Sequence, residues 1–292
     1  MRGIAADLEL RRPASLAEAL DLLAQDPKLK VLAGGTDLLV RHEDGSLGPA
    51  RLLDLSALPE LRQIRRVGDE LEIGAGVCYA DIQAHPDVIA HLPLLVQAAE
   101  QTGARAIQER GTLGGNVANA SPAADSVPVL LALGAGLLLR SRTAERRLPL
   151  EDFFLDYRRT ALRPDELITA LRLPLASPPL QYFRKVGTRR AQAISKVALA
   201  AAGRWTAGGL ECRVALASVA PVPLRCHELE AFLAAEAGRG DWMERAARLL
   251  MDGLRPIDDI RSTAAYRRQV AGNLLLAFLR RAEAARPGPD GR

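Results

Sequence analysis

Residues 111–128 read Gly-Thr-Leu-Gly-Gly-Asn-Val-Ala-Asn-Ala-Ser-Pro-Ala-Ala-Asp-Ser-Val-Pro. A stretch this rich in glycine and short polar side chains is not an ordinary core element. Gly111, Gly114 and Gly115 let backbone approach another surface closely. Thr112, Asn116, Asn119, Ser121 and Asp125 add hydroxyls, amides and an acid. The apolar run over 126–133 predicts a helix whose N-terminus points back at the stretch. Together these are the parts of an anion or nucleotide cradle. A second glycine-rich turn, Ala33-Gly34-Gly35-Thr36-Asp37, follows a short strand at Lys30–Ala33. Either turn alone is equally well a structural loop. The constraint on the fold is that both must meet across one ligand.

The rest of the chain reads as alternating short elements. Ser15-Leu16-Ala17-Glu18 is a capping box opening a helix to about Gln25. Segment 36–41 predicts a short helix capped by Thr36 or Asp37, and 51–55 a buried strand. Hairpins are expected over 62–77 and over 137–149, helices over 79–84 and 92–102, and a strand over 166–174. Leu175-Ala-Ser-Pro-Pro-Leu180 is the linker, since Ser and two prolines break the pattern. Beyond it come strands at 182–186, 194–206 and 210–219, then helices at 228–236, 242–252 and 263–284. In the last helix Tyr266, Val270, Leu274 and Ala277, with Leu276 and Leu279, form the apolar stripe. Arg267, Arg268, Arg280 and Arg281 are expected outside it. The Pro-Gly-Pro-Asp-Gly end predicts a disordered tail over 285–292.

Composition excludes several classes. The chain has 292 residues, is 48% hydrophobic and 25% charged, and carries a net charge of +4 with only 4% aromatic residues. That suits a two-domain globular protein and not a nucleic-acid binder. Cys78, Cys212 and Cys226 lack any metal-ligand spacing, so no metal or iron–sulfur site is expected within this chain. Scattered cysteines, no signal-like N-terminus and no long apolar run predict a cytoplasmic protein. There is no GxSxG, HExxH or Walker A motif, and the four histidines (42, 85, 91, 227) stand in ordinary contexts. Gly74-Ala75-Gly76 follows a strand but lacks the third glycine of a Rossmann turn. No catalytic residue is assigned.

The two turns, Val31-Leu32-Ala33-Gly34-Gly35-Thr36-Asp37-Leu38-Leu39 and Gly111 through Asp125, resemble the flavin loops of the FAD-binding medium subunit of molybdenum hydroxylases. That family includes the FAD parts of xanthine dehydrogenase, aldehyde oxidoreductase and aerobic carbon monoxide dehydrogenase. Tyr157-Arg158-Arg159-Thr160-Ala161-Leu162 with Pro164-Asp165-Glu166-Leu167-Ile168 is similar to its segment before the linker. Phe183-Arg184-Lys185-Val186 and the run from Arg189 to Val197 resemble the opening of its C-terminal domain.

The resemblance spans the chain in order and implies an α+β fold. A PCMH/vanillyl-alcohol-oxidase-type FAD-binding domain over 1–175, in subdomains of about 1–57 and 58–175, would precede a small α+β domain over 181–284. It implies noncovalent FAD. Ala33, Gly34, Gly35, Thr36 and Asp37 would hold its diphosphate, flanked by Val31, Leu32 and Leu38. Thr112, Gly115, Asn116 and Ser121 would continue the cradle, with Asp125 on the ribose or adenine side. Ile168 would lie near the adenine or flavin, and Lys185 near the isoalloxazine edge, where a cation can stabilise developing negative charge. Relatives often read Ile-Arg-Asn before the second glycine run. Here Ile107-Gln108-Glu109 stands there, so no Arg contact is carried over at that point. The Cys-rich insert of some relatives is missing.

The implied role is electron transfer within a molybdenum hydroxylase complex. A small subunit would carry the 2Fe-2S clusters and a large subunit the molybdopterin. FAD would pass electrons to NAD+ or another acceptor. A self-contained flavin oxidase and a non-catalytic assembly protein that has kept the fold are the alternatives.

Overall fold

The computed structural model describes residues 7–189 and 191–287. Whatever was expected of the tail beyond Pro287 lies outside them. The chain opens with β1 (Leu8–Arg11), α1 (Leu16–Gln25), β2 (Lys30–Leu32), α2 (Leu38–Glu43) and β3 (Ala50–Asp54). Ser15 caps α1 by accepting from the Glu18 N–H at 3.2 Å. Glu18 reaches back one residue further than a capping box requires, to the Ala14 N–H at 2.7 Å. Leu16, Ala19, Leu20 and Leu23 of α1 pack against Leu53 and Leu55 to make a small core of their own. The three strands form a parallel sheet in the order β1-β3-β2. Its central strand directs β2 straight at the first glycine turn.

A second unit follows: β4 (Ile64–Val67), β5 (Glu70–Gly74), α3 (Tyr79–Ala84), α4 (Pro86–His91), α5 (Pro93–Gln101), α6 (Arg105–Gln108), α7 (Leu113–Ala118), α8 (Val127–Ala132), β6 (Gly136–Arg140), β7 (Glu145–Pro149), β8 (Phe154–Asp156), β9 (Arg159–Thr160) and β10 (Leu167–Pro174). The antiparallel sheet runs β4-β5-β10-β6-β7, so the last strand enters between the two hairpins. Both expected hairpins form. Three helices were not anticipated: α4, started by Pro86, the single turn of α6, and α7, made of the glycine-rich stretch itself.

The third unit comprises β11 (Leu180–Val186), β12 (Val197–Trp205), β13 (Leu210–Ala217), β14 (Leu224–Arg225), α9 (His227–Glu236), α10 (Trp242–Gly253) and α11 (Ala264–Ala284). Its sheet is antiparallel in that strand order. The two-residue side-chain alternation of β12 gives each face a different task. Val197, Leu199 and Ala201 face α9–α11 in one core, with Leu233, Leu250, Leu275 and Phe278. Ala198, Ala200 and Ala202 join the core of the second unit, with Val129, Leu130 and Phe183. The third unit is therefore not a separately packed body, because its alanine face closes the core of the second.

Two expectations about α11 are corrected, at Arg267 and at Tyr266. Arg267 is not on the solvent side but only 4% exposed. Its guanidinium donates to the Lys196 and Ser218 carbonyls at 2.9 and 3.0 Å and to Asp259 at 2.7 Å. A buried cation so surrounded is stabilised by acceptors that no helical periodicity reveals. Arg280 and Arg281 are exposed as expected and Arg268 is half-buried, while Tyr266, expected on the apolar stripe, is 43% exposed. Among the described residues no helix is long and apolar enough to cross a membrane.

Candidate FAD site

The first glycine turn leaves β2 and enters α2. Gly35 has φ +75°, a conformation L side chains rarely adopt. Gly34 is needed for a different reason. A Cβ at this position would lie 1.9 Å from the Arg110 carbonyl oxygen and 3.1 Å from the Gly111 Cα. The turn is thus pressed directly on the backbone that begins the second glycine stretch. The Asn119 side chain ties the two together by donating to Asp37 at 3.2 Å.

The second stretch is a helix start rather than an open loop. Thr112 caps α7, accepting from the Gly115 N–H at 3.1 Å. The Leu113 and Gly114 N–H groups donate to the Val77 and Ala75 carbonyls, each at 3.0 Å. Gly114 must be glycine, since a Cβ there would come within 2.4 Å of the Ala75 Cβ. The first turn differs in its donor inventory. The N–H groups of Gly34, Gly35, Thr36 and Asp37 donate to no other group among the described residues. Four successive unused donors in a glycine turn are what a diphosphate requires. The second stretch has spent most of its own and contributes side chains and a close wall. Such a turn fits the diphosphate of a dinucleotide.

Between the turns lies a cavity of about 680 Å³. Its wall includes Val31, Leu32, Ala33, Gly34, Gly35, Thr36, Asp37 and Leu38 from the first turn, Thr112, Gly115 and Asn116 from the second, and Ile168 from β10. Of the residues singled out in the sequence, Ser121, Asp125 and Lys185 do not line it. The Ser121 hydroxyl accepts from the Ala123 N–H at 3.2 Å.

Lys185 and Asp125 form a buried pair that joins β11 to the start of α8. The Lys185 ammonium donates to Asp125 Oδ2 at 2.6 Å and to the Gln101 carbonyl at 2.9 Å. Gln101 immediately precedes Thr102, which lines the cavity. Burial pushes the Asp125 carboxyl up to about 6, against the pull of the adjacent Lys185. Its Oδ1 has no hydrogen-bond partner among the described residues.

The wall also contains residues the motifs do not reveal. Arg41, Arg62 and Arg110 bring cations to it. Arg110 supplies one just after the Gln108-Glu109 departure. Arg62 is partly neutralised by Asp81 at 3.7 Å. Ala75 and Gly76, set aside as an incomplete Rossmann turn, form part of the wall, as do Cys78 and Tyr79. Cys78 also pairs with Thr112 in an isolated antiparallel bridge. The signal for them was the Gly-Ala-Gly run itself, which marks close backbone approach without any fixed nucleotide fingerprint.

Comparisons with known proteins agree with this arrangement. Residues 6–176 match the family described as FAD binding domain in molybdopterin dehydrogenase, and residues 182–282 match the CO dehydrogenase flavoprotein C-terminal domain. The chain is 30% identical to the carbon monoxide dehydrogenase medium chain of Hydrogenophaga pseudoflava, over 91% of this chain and 94% of that one. It is 32% identical to a xanthine dehydrogenase FAD-binding subunit of Escherichia coli O157:H7, over 75% of this chain and 76% of that one. The solved H. pseudoflava carbon monoxide dehydrogenase that lacks the Mo-pyranopterin moiety of its cofactor superposes with a TM-score of 0.89 at 31% identity, covering 95% of this chain and 97% of that one. The chain belongs to the family of FAD-binding medium subunits of molybdenum hydroxylases and is a flavoprotein subunit of a xanthine dehydrogenase-like oxidoreductase.

Proposed function

We propose that this chain relays electrons within a molybdenum hydroxylase complex. It would take them from the 2Fe-2S clusters of a small subunit and deliver them to NAD+ or another acceptor. A large subunit would hold the molybdopterin at which the organic substrate is oxidised. The observation that carries this reading is the closure of the Gly34–Asp37 turn on Arg110–Gly111 beside one cavity with four unused N–H donors. Bound FAD supplies the redox chemistry; the protein binds, orients and insulates it.

In this reading Gly34, Gly35, Thr36 and Asp37 hold the diphosphate noncovalently, with Arg41 and Arg110 adding positive charge to the wall. Val31, Leu32, Leu38 and Ile168 supply apolar surface for the rings. Thr112, Gly115 and Asn116 face the same ligand from α7. Lys185 and Asp125 act from behind the wall, fixing the backbone between Gln101 and Thr102. That neither lines the cavity favours support of the site over direct contact in this reading.

Isolation of the native complex from its source tests the relay. The chain is expected to copurify with subunits that bring iron, acid-labile sulfide and molybdenum, and organic substrate should bleach the flavin only in that complex. Steady oxidation of an organic substrate by the isolated chain would refute the relay in favour of a self-contained oxidase. A colourless chain within an active complex would favour an assembly role. The cytoplasm is the proposed site of this chemistry.

A further inference from the structure

A chain of hydroxyls joins two residues of the cavity wall, Tyr79 and Asn116, through Ser126, which is not part of that wall. Tyr79 on α3 is 2% exposed and Ser126, just before α8, is 0% exposed. The Tyr79 phenol lies 3.5 Å from Ser126 Oγ. Ser126 Oγ in turn donates to Asn116 Oδ1 at 2.8 Å. Neither hydroxyl has another hydrogen-bond partner among the described residues. Burial keeps the Tyr79 phenol protonated, and its buried proton has no acceptor other than Ser126 Oγ among the described residues. The sense of the chain follows: Tyr79 donates to Ser126, and Ser126 donates to Asn116.

This fixes which edge of the Asn116 carboxamide is which. An asparagine amide is nearly symmetric in shape, and only its hydrogen bonds decide whether oxygen or nitrogen faces a given side. With Oδ1 engaged by Ser126, Nδ2 is the free edge, and it donates to no group among the described residues. Asn116 lines the cavity. We infer that Ser126, steadied by Tyr79, is a positioning residue that makes Asn116 a hydrogen-bond donor toward an acceptor atom of the dinucleotide. The inference rests on the FAD reading of the cavity. Ser126 never touches the ligand. It excludes the flipped amide, which would turn an oxygen lone pair on a ligand whose phosphates, ribose oxygens and ring carbonyls are chiefly acceptors. A wrong-way amide costs affinity twice, by losing a donor and by opposing two acceptors.

The test is a double-mutant cycle on the full chain, read as FAD dissociation constant by flavin fluorescence. Circular dichroism and melting temperature without FAD confirm that each variant is folded. Ser126→Ala and Asn116→Ala should each weaken FAD binding by about tenfold, the scale of one hydrogen bond. The double variant should be no weaker than Asn116→Ala alone, since Ser126 acts only through Asn116. Asn116→Asp, which keeps an acceptor for Ser126 but presents oxygen to the ligand, should bind more weakly than Ser126→Ala. A Ser126→Ala variant within twofold of the wild type, or a double variant equal to the product of the single effects, would overturn the positioning role of Ser126. So would Asn116→Asp binding FAD as the wild type does. Failure of the wild-type chain itself to bind FAD would instead remove the FAD reading and, with it, the ligand on which the inference rests.

Discussion

Gly34→Ala is the substitution whose consequence follows most directly from the geometry. The added Cβ would lie 1.9 Å from the Arg110 carbonyl oxygen, where real Cβ contacts essentially never fall under 3.0 Å. That oxygen is backbone, so no side chain can swing away, and the two turns must part by about 1 Å. Forced overpacking of this kind costs roughly 1–3 kcal/mol. In a chain of 292 residues that is a fall in melting temperature of roughly 2–5 °C. The larger effect is on the ligand. Parting the turns removes at least one N–H donor from register with a phosphate, and a hydrogen bond to a charged group contributes about 1.5–3 kcal/mol. FAD affinity should therefore fall by at least about tenfold. The control is Gly48→Ala. Gly48 also has positive φ, at +65°, but its added Cβ meets nothing within 4 Å. That variant should lose stability from backbone strain alone and bind FAD normally. The assay is FAD titration by fluorescence beside thermal melts of the same samples. Wild-type FAD affinity in Gly34→Ala would refute the claim that the two turns share one wall. Equal loss in Gly48→Ala would show that the affinity reports stability alone.

Three further outcomes are expected. Lys185→Met should leave the Asp125 carboxyl buried beside no cation and raise its pKa further above about 6; a flavin reduction potential identical to wild type would rule out any influence of this pair on the ring. Because Asp125 has a raised pKa in the folded state, its contribution to stability is full below the unfolded value of 3.8 and is lost as pH rises through about 6. Asp125→Asn should remove that part of the decline in melting temperature between pH 4 and 7, and an unaltered pH profile would contradict it. Arg267→Ala should strip a buried cation from three acceptors and destabilise the chain by about 3–5 kcal/mol; a loss under about 1 kcal/mol in chemical denaturation would place that side chain in solvent.

How much of this was legible beforehand depended on the kind of signal. Hydrophobic alternation and prolines marked every strand of the second unit's two hairpins, because local patterning decides them. The site's first turn was legible only in company, since a Gly-Gly-Thr-Asp run after a strand is by itself ordinary turn chemistry and gained meaning from the second glycine stretch and the family resemblance. The helical start at Leu113 was not. Two adjacent glycines argue against a helix by about 1 kcal/mol each, yet Gly114 is required by the close approach of Ala75, a tertiary fact. The same limit hid Arg267, whose acceptors come from residues far along the chain. It also hid the contribution of Ala75, Gly76 and Tyr79 to the wall. The alanine face of β12 read as a plain strand, and only the α8 packed on it explains why the side chains there are small. Ser121, Asp125 and Lys185 were assigned by resemblance, and only the folded geometry sets them apart from the wall.

Every role given to the two glycine turns depends on one ligand held between them. Titration of the purified chain with FAD, followed by dialysis and acid precipitation, addresses that claim directly. The expected product is a yellow protein that retains a single equivalent of FAD and releases it intact on acid precipitation, as a noncovalent cofactor must. A folded chain that stays colourless after exposure to excess FAD, or one whose flavin remains in the precipitate, would contradict it.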